Sequence, residues 1–166
     1  MSTDAIVLLK EDHQEMRRLF KEFQASEDAP ASKRGRLVKQ ILEALTVHTW
    51  LENEIMYPEV RERLPELEDH ILESYEEHHV ADVLCFELSS MQPDDEHFNA
   101  KTTVLIENVL HHVEEEEQEW FPKVRESMGR KELQEMGQRM IDRRPEAPKS
   151  PTAPKALKKS LDAMRA

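Results

Sequence analysis

The feature that most constrains this chain is an internal repeat. His13 and His78 stand 65 residues apart, while His48 and His112, Glu52 and Glu116, and Pro58 and Pro122 each stand 64 apart. Both copies carry a histidine and a glutamate four residues apart, then an aromatic residue and a proline: Tyr57-Pro58 in the first, Phe121-Pro122 in the second. Four marks at one spacing identify a duplicated unit, so the two halves of the chain are expected to fold alike and pack on each other.

Apolar residues at steps of three and four predict helices. The first runs from about Thr3 to Ala25 through Ile6, Leu9, Met16, Phe20 and Phe23, with Ser2, Thr3 or Asp4 as its cap. The second runs from about Ser32 to Tyr57, where Pro58 ends or kinks it. The third starts near Pro65 and reaches about Ser90. The fourth runs from about Asp95 to Ser127, and residues 130–141 add a short fifth. The expected fold is all-α: an up-down-up-down antiparallel four-helix bundle over residues 1–142, with a short extra C-terminal helix. Only 3 glycines are present, and neither glycine-rich nucleotide motif occurs, which argues against Rossmann and P-loop sites. The single cysteine, Cys85, excludes an internal disulfide, a CxxC pair and a cysteine-rich zinc site; it reads as a small core residue.

The helical seams carry polar groups where a core should be apolar. They read Ile6, Leu9, His13, Met16, Phe20; Ile41, Leu45, His48, Glu52, Ile55; Ile71, Ser74, His78, Ala81, Cys85; and Leu105, Val109, His112, Glu116, Glu119. Each helix therefore directs one histidine inward, and two add a glutamate one turn on, since positions i and i+4 share a face. A lone histidine on such a face is ordinarily a satisfied core residue. Four imidazoles and two carboxylates converging by symmetry need a common partner, and the seams offer no Lys or Arg. A metal would compensate all six: His13, His48, Glu52, His78, His112 and Glu116. Six nitrogen and oxygen donors exceed one tetrahedral zinc and suit non-haem iron, with manganese or zinc as alternatives. If both glutamates bridge, two metals with an oxo or hydroxo bridge leave about two of their octahedral positions open. His79 and the pair His111/Glu115 offer a shifted register. The repeat selects His78, which pairs with Leu88 as His13 does with Phe23, and His112, which aligns with Phe121 and Pro122.

Charge limits the partners. Residues 143–166 hold seven Lys/Arg and two Asp/Glu, so of the net −12 the first 142 residues carry −17. Such a body repels nucleic acid and anionic membrane. The Pro/Lys-rich segment 143–166 is expected to be a flexible basic tail suited to an acidic partner, with a short amphipathic helix over 155–166 as the alternative. Neither a membrane span nor a signal peptide is read, so the cytoplasm is the expected compartment.

The series of histidines and HxxxE pairs resembles the hemerythrin-like, or HHE cation-binding, domain over roughly residues 5–127. The resemblance implies an up-down bundle around a non-haem di-iron centre, with the six residues above as ligands and Glu52 and Glu116 bridging. Two departures set the chain apart from oxygen-carrying hemerythrins. Ser74 stands where they place a further histidine, and the last motif closes with Glu116 at a four-residue step rather than Asp at five. The missing ligand leaves one iron more open, or is replaced by water or a side chain such as Tyr57 or Tyr75. The expected function is binding of, or reaction with, oxygen, nitric oxide or peroxide. Iron handling or oxygen sensing through a partner is the alternative, and the residues leave catalytic turnover open.

Overall fold

A computed structural model describes residues 2–151. Helix α1 spans Ala5–Gln24, and Asp4 caps it by accepting the Val7 N–H at 3.0 Å. Helix α2 spans Ala31–Leu51. A single wide turn, Glu52–Met56, then leads into α3, Tyr57–Arg63. Helix α4 runs Glu68–Ser89 and α5 Phe98–Glu115. A second wide turn, Glu116–Trp120, leads into α6, Phe121–Ser127, and α7 closes the fold over Arg130–Arg143. Four rods result: α1, α2–α3, α4 and α5–α6. Helix α1 packs on α2 and α5, and α4 packs on α5 and α2, which closes the ring of a bundle.

The second rod continues past Pro58 to Arg63, beyond the end expected near Tyr57, while the fourth passes Pro122 and reaches Ser127 as expected. A proline ring clashes with the carbonyl four residues back in a regular helix. Here the turn just before each proline is widened to an i to i−5 pattern: Tyr57 N–H donates to Glu52 C=O and Phe121 N–H to Glu116 C=O. Such turns let a helix continue past the proline, and they often sit at functional positions. Both begin on the seam glutamates, so the repeat extends to the backbone. The extra residue also rotates the remainder of each rod. Glu119, read as a seam residue, faces solvent, while Trp120 is buried.

Two apolar clusters fill the bundle. One gathers Ile6, Leu9, Leu51, Met56, Val60, Ile71, Trp120, Phe121 and Val124 with α7 residues Leu133, Met136 and Met140. The other gathers Met16, Phe20, Ile41, Leu45, Ala81, Cys85, Phe98, Leu105 and Val109. Burying such side chains stabilises the fold by roughly 1.5–3 kcal/mol each. Helix α7 seats tightly because Gly137 has no side chain: a Cβ there would lie 1.6 Å from the Thr3 carbonyl oxygen.

The segment after α7 is expected to be flexible, with a basic charge suited to docking on the acidic body or on an acidic partner. Over its described part it lies on the body: residues 144–146 form a short 3-10 turn, Ala147 is buried, and Arg144 pairs with Asp12 on α1. The pairing of Arg144 with Asp12 and the burial of Ala147 and Pro151 account for this. The amphipathic reading of 155–166 lies outside the described residues. Among the described residues, no helix is long and apolar enough to cross a membrane.

Candidate metal centre

Between the two apolar clusters lies a polar layer. His13, His48, Glu52, His78, His112 and Glu116, the six seam residues, are all buried there, and Glu52 and Glu116 are wholly inaccessible. Their atoms meet at short range. Glu52 Oε1 lies 3.0 Å from His48 Nε2 and 3.3 Å from His78 Nε2. Glu116 Oε1 lies 3.0 Å from His112 Nε2 and 3.5 Å from His13 Nε2. Each carboxylate thus faces one imidazole from each half. The Nε2 atoms pair off as well, His13 with His48 at 3.2 Å and His78 with His112 at 3.1 Å.

The outward ring nitrogens explain this aim. Every Nδ1 lies against an oxygen: His13 on Glu117 at 2.9 Å, His48 on Asp12 at 3.0 Å, His78 on Asn53 at 2.9 Å and His112 on Glu77 at 2.9 Å. A neutral imidazole carries one N–H, and an acceptor at Nδ1 draws it there. The Nε2 lone pairs then point inward, the pattern in which an outer acceptor orients a metal-binding histidine. The partners repeat too. Asp12 and Glu77 precede His13 and His78; Asn53 and Glu117 follow Glu52 and Glu116. The sequence offers Glu54 and Glu117 as outer partners of the histidines, and Glu117 takes that place on His13; Asp12, Asn53 and Glu77 it does not single out. Their adjacency to the seam residues in both halves was the available signal. Two carboxylates are themselves held by arginines: Asp12 by Arg144 at 3.0 Å, Glu117 by Arg17 at 2.8 Å.

The layer asks for positive charge. Buried hydroxyls elsewhere are satisfied by backbone, as Thr46 on Leu42 C=O, Thr49 on Leu45 C=O and Thr102 on Phe98 C=O. Both oxygens of Glu52 and Oε1 of Glu116 accept no well-aligned hydrogen bond. An unmet buried acceptor costs roughly 1–3 kcal/mol, more when charged. Burial disfavours a charged His48, yet Glu52 and Asp12 outweigh it and raise its pKa to about 10. His112 is likewise raised, by Glu116 and Glu77 against burial. Burial opposes ionisation of Glu52, but the facing histidines hold its carboxyl well below the usual range. Inward lone pairs, unmet carboxylate oxygens and charge demand together fit a cation. Two sets of donors could hold one: His13, His48, Glu52 and Glu116, and Glu52, His78 and His112, with the atoms of each set within 4.8 Å of one another.

Tyr57 completes the second set. Its hydroxyl lies 3.1 Å from His78 Nε2, 3.2 Å from His112 Nε2 and 3.2 Å from Glu116 Oε2. Burial, Glu116 and Glu52 raise the pKa of this hydroxyl well above its usual value, with Ser74 acting the other way. Tyr75 packs edge-on against the Tyr57 ring, with centroids 5.3 Å apart, and brings no such oxygen. The repeat counterpart Phe121 lies parallel to His13, with centroids 6.0 Å apart. Cys85 is buried, and burial pushes its thiol pKa up, as suits a packing residue. His79 is only partly buried and His111 is exposed, so the alternative registers do not reach the layer.

The hemerythrin HHE cation-binding domain model matches residues 4–124. A crystal structure of a hemerythrin HHE cation-binding domain-containing protein from Mycobacterium kansasii, an Rv2633c homologue, superposes with a TM-score of 0.69. It is 21% identical, and the match covers 98% of this chain and 93% of that one; the likeness speaks to the fold. A DNA nickase of Nostoc sp. (strain PCC 7120 / SAG 25.82 / UTEX 2576) is 27% identical over 128 residues. That match covers 77% of this chain but only 35% of the relative.

Proposed function

The chain belongs to the hemerythrin HHE cation-binding family, and from that premise we propose that it is a non-haem di-iron protein whose centre binds or reacts with oxygen, nitric oxide or peroxide. The observation that carries this reading is the convergence of four Nε2 atoms on two carboxylates that each face both halves. His13 and His48 would hold one iron, His78 and His112 the other, with Glu52 and Glu116 shared. Iron supplies the redox chemistry when bound. The chain's own groups do the rest. Asp12, Asn53, Glu77 and Glu117 fix the imidazoles, and the apolar clusters keep bulk water from the layer. Tyr57 sets a hydroxyl beside His78, His112 and Glu116, where a small ligand or the second metal would lie.

Loading with ferrous iron without air, followed by oxygen, tests the proposal through the visible spectrum. A spectrum that reverses on oxygen removal makes the centre a binder. An irreversible change to a stable ferric spectrum makes it a reactor and points to peroxide or nitric oxide next. No spectral change with iron bound would contradict both.

A second reading, sensing through a partner, draws support from the ion pair between Arg144 and Asp12, which ties the C-terminal segment to the residue that orients His48. Arg144→Ala would then alter partner binding but not iron content. DNA nicking, the activity named for the Nostoc relative, finds no support in a body of charge −17.

A further inference from the structure

A second histidine–glutamate pair, His111 and Glu115, stands one residue out of register with His112 and Glu116. The matching positions of the first half are Val47 and Leu51, so the duplication does not account for it. His111 is 64% exposed, and its Nε2 lies 2.9 Å from Glu115 Oε1 and 3.9 Å from Glu77 Oε2. Glu77 reaches in from α4, and its other oxygen holds His112. These three donor atoms lie within 4.8 Å of one another.

The rest of the layer shows what this corner lacks. Asp12 has His48 on one side and Arg144 on the other. Glu117 has His13 on one side and Arg17 on the other. Each of these outer carboxylates is held between an imidazole and a guanidinium. Glu77 has His112, and in the place of a guanidinium it faces His111 with Glu115. Among the described residues, the ion-pair partners of Glu77 and Glu115 are histidines, with no Lys or Arg.

We propose that Glu77, His111 and Glu115 form a third, peripheral site for a divalent transition-metal cation. One imidazole and two carboxylates from two helices are a mixed nitrogen and oxygen set suited to zinc, ferrous iron or manganese, and exposure lets water complete the coordination. The histidine separates this corner from a plain carboxylate patch, which would suit calcium or magnesium. A cation here holds Glu77 against His112 as Arg144 holds Asp12 against His48.

The test uses the full chain, loaded with iron and freed of excess metal. Zinc is titrated by calorimetry, and zinc-soaked crystals are examined by anomalous diffraction at the zinc edge. The expected result is one further equivalent, with a zinc peak at His111 Nε2 and Glu115. His111→Ala and Glu115→Gln, both at exposed or half-exposed positions, each weaken that equivalent by about tenfold or more and leave the iron content unchanged. No further equivalent, a zinc peak elsewhere, or uptake that both substitutions leave intact would overturn the proposal. A chain that takes up no iron but still gains this zinc equivalent would sink the di-iron reading and leave the outer site standing.

Discussion

The two ends of the polar layer come from one repeated sequence, yet three side chains make them unlike. At the His13/His48 end the nearest ring is Phe121, and both outer partners are carboxylates held by arginines. At the His78/His112 end the ring is Tyr57, one outer partner is the neutral amide of Asn53, and Glu77 meets no arginine among the described residues. The duplication keeps whatever aims the four nitrogens and varies whatever sets their electronic surroundings. A carboxylate at Nδ1 makes an imidazole a stronger donor than an amide does. On the proposed di-iron reading, the His13/His48 end would hold its metal the more firmly, and the other end would offer a more adjustable position beside a hydroxyl.

The harshest way to break the comparison is Glu116→Ala. Because Glu116 faces both His13 and His112, both ends should empty together, and the metal-to-chain ratio should fall from two toward zero. Retention of one metal would show that the ends are independent. Tyr57→Phe should keep both metals and change the visible spectrum of the iron-loaded protein, whereas Phe121→Leu should change it far less. Equal effects would erase the difference between the ends. Replacement of the outer partners sharpens it further. Glu117→Ala should weaken metal binding by about 10–100-fold, and Asn53→Ala should lie at the low end of that range, because charge-assisted hydrogen bonds are the stronger. Competition with a chelator measures both.

Acid gives a smaller, signed effect. The hydrogen bond from His13, with help from Arg17, lowers the Glu117 carboxyl to about 2, below its unfolded value of roughly 4.3. The stabilisation is complete above the unfolded value and is lost as pH falls through about 2. Metal-free protein should lose stability over that window, and Glu117→Gln should flatten the slope in chemical denaturation; an unchanged slope would remove Glu117 from the account. The smallest effect belongs to His111→Ala, which should leave the metals of the buried layer at their wild-type ratio.

Much of this was legible in the sequence because it repeats and because helical spacing fixes faces. His13, His48, Glu52, His78, His112 and Glu116 share seams at steps of three and four, and the structure brings all six into one layer. Tyr57 was legible only as one of two candidates, with Tyr75, for the place of the histidine missing at Ser74; the structure puts the Tyr57 hydroxyl beside His78 and His112. The wide turns were not, because Pro58 and Pro122 signal only that a regular helix cannot continue, and not how the backbone relaxes around them. Asp12, Asn53 and Glu77 look like surface residues in one dimension, since each lies beside a seam position and reaches a histidine on another helix. The docking of 144–151 depends on Arg144 meeting Asp12, a pairing between residues at opposite ends of the chain.

The central claim is two metals shared by two carboxylates, and anomalous diffraction at the iron edge from crystals of the iron-loaded chain tests it most directly. The account predicts two peaks flanked by Glu52 and Glu116, one beside His13 and His48 and one beside His78, His112 and Tyr57. A single peak, or iron away from both glutamates, would contradict it.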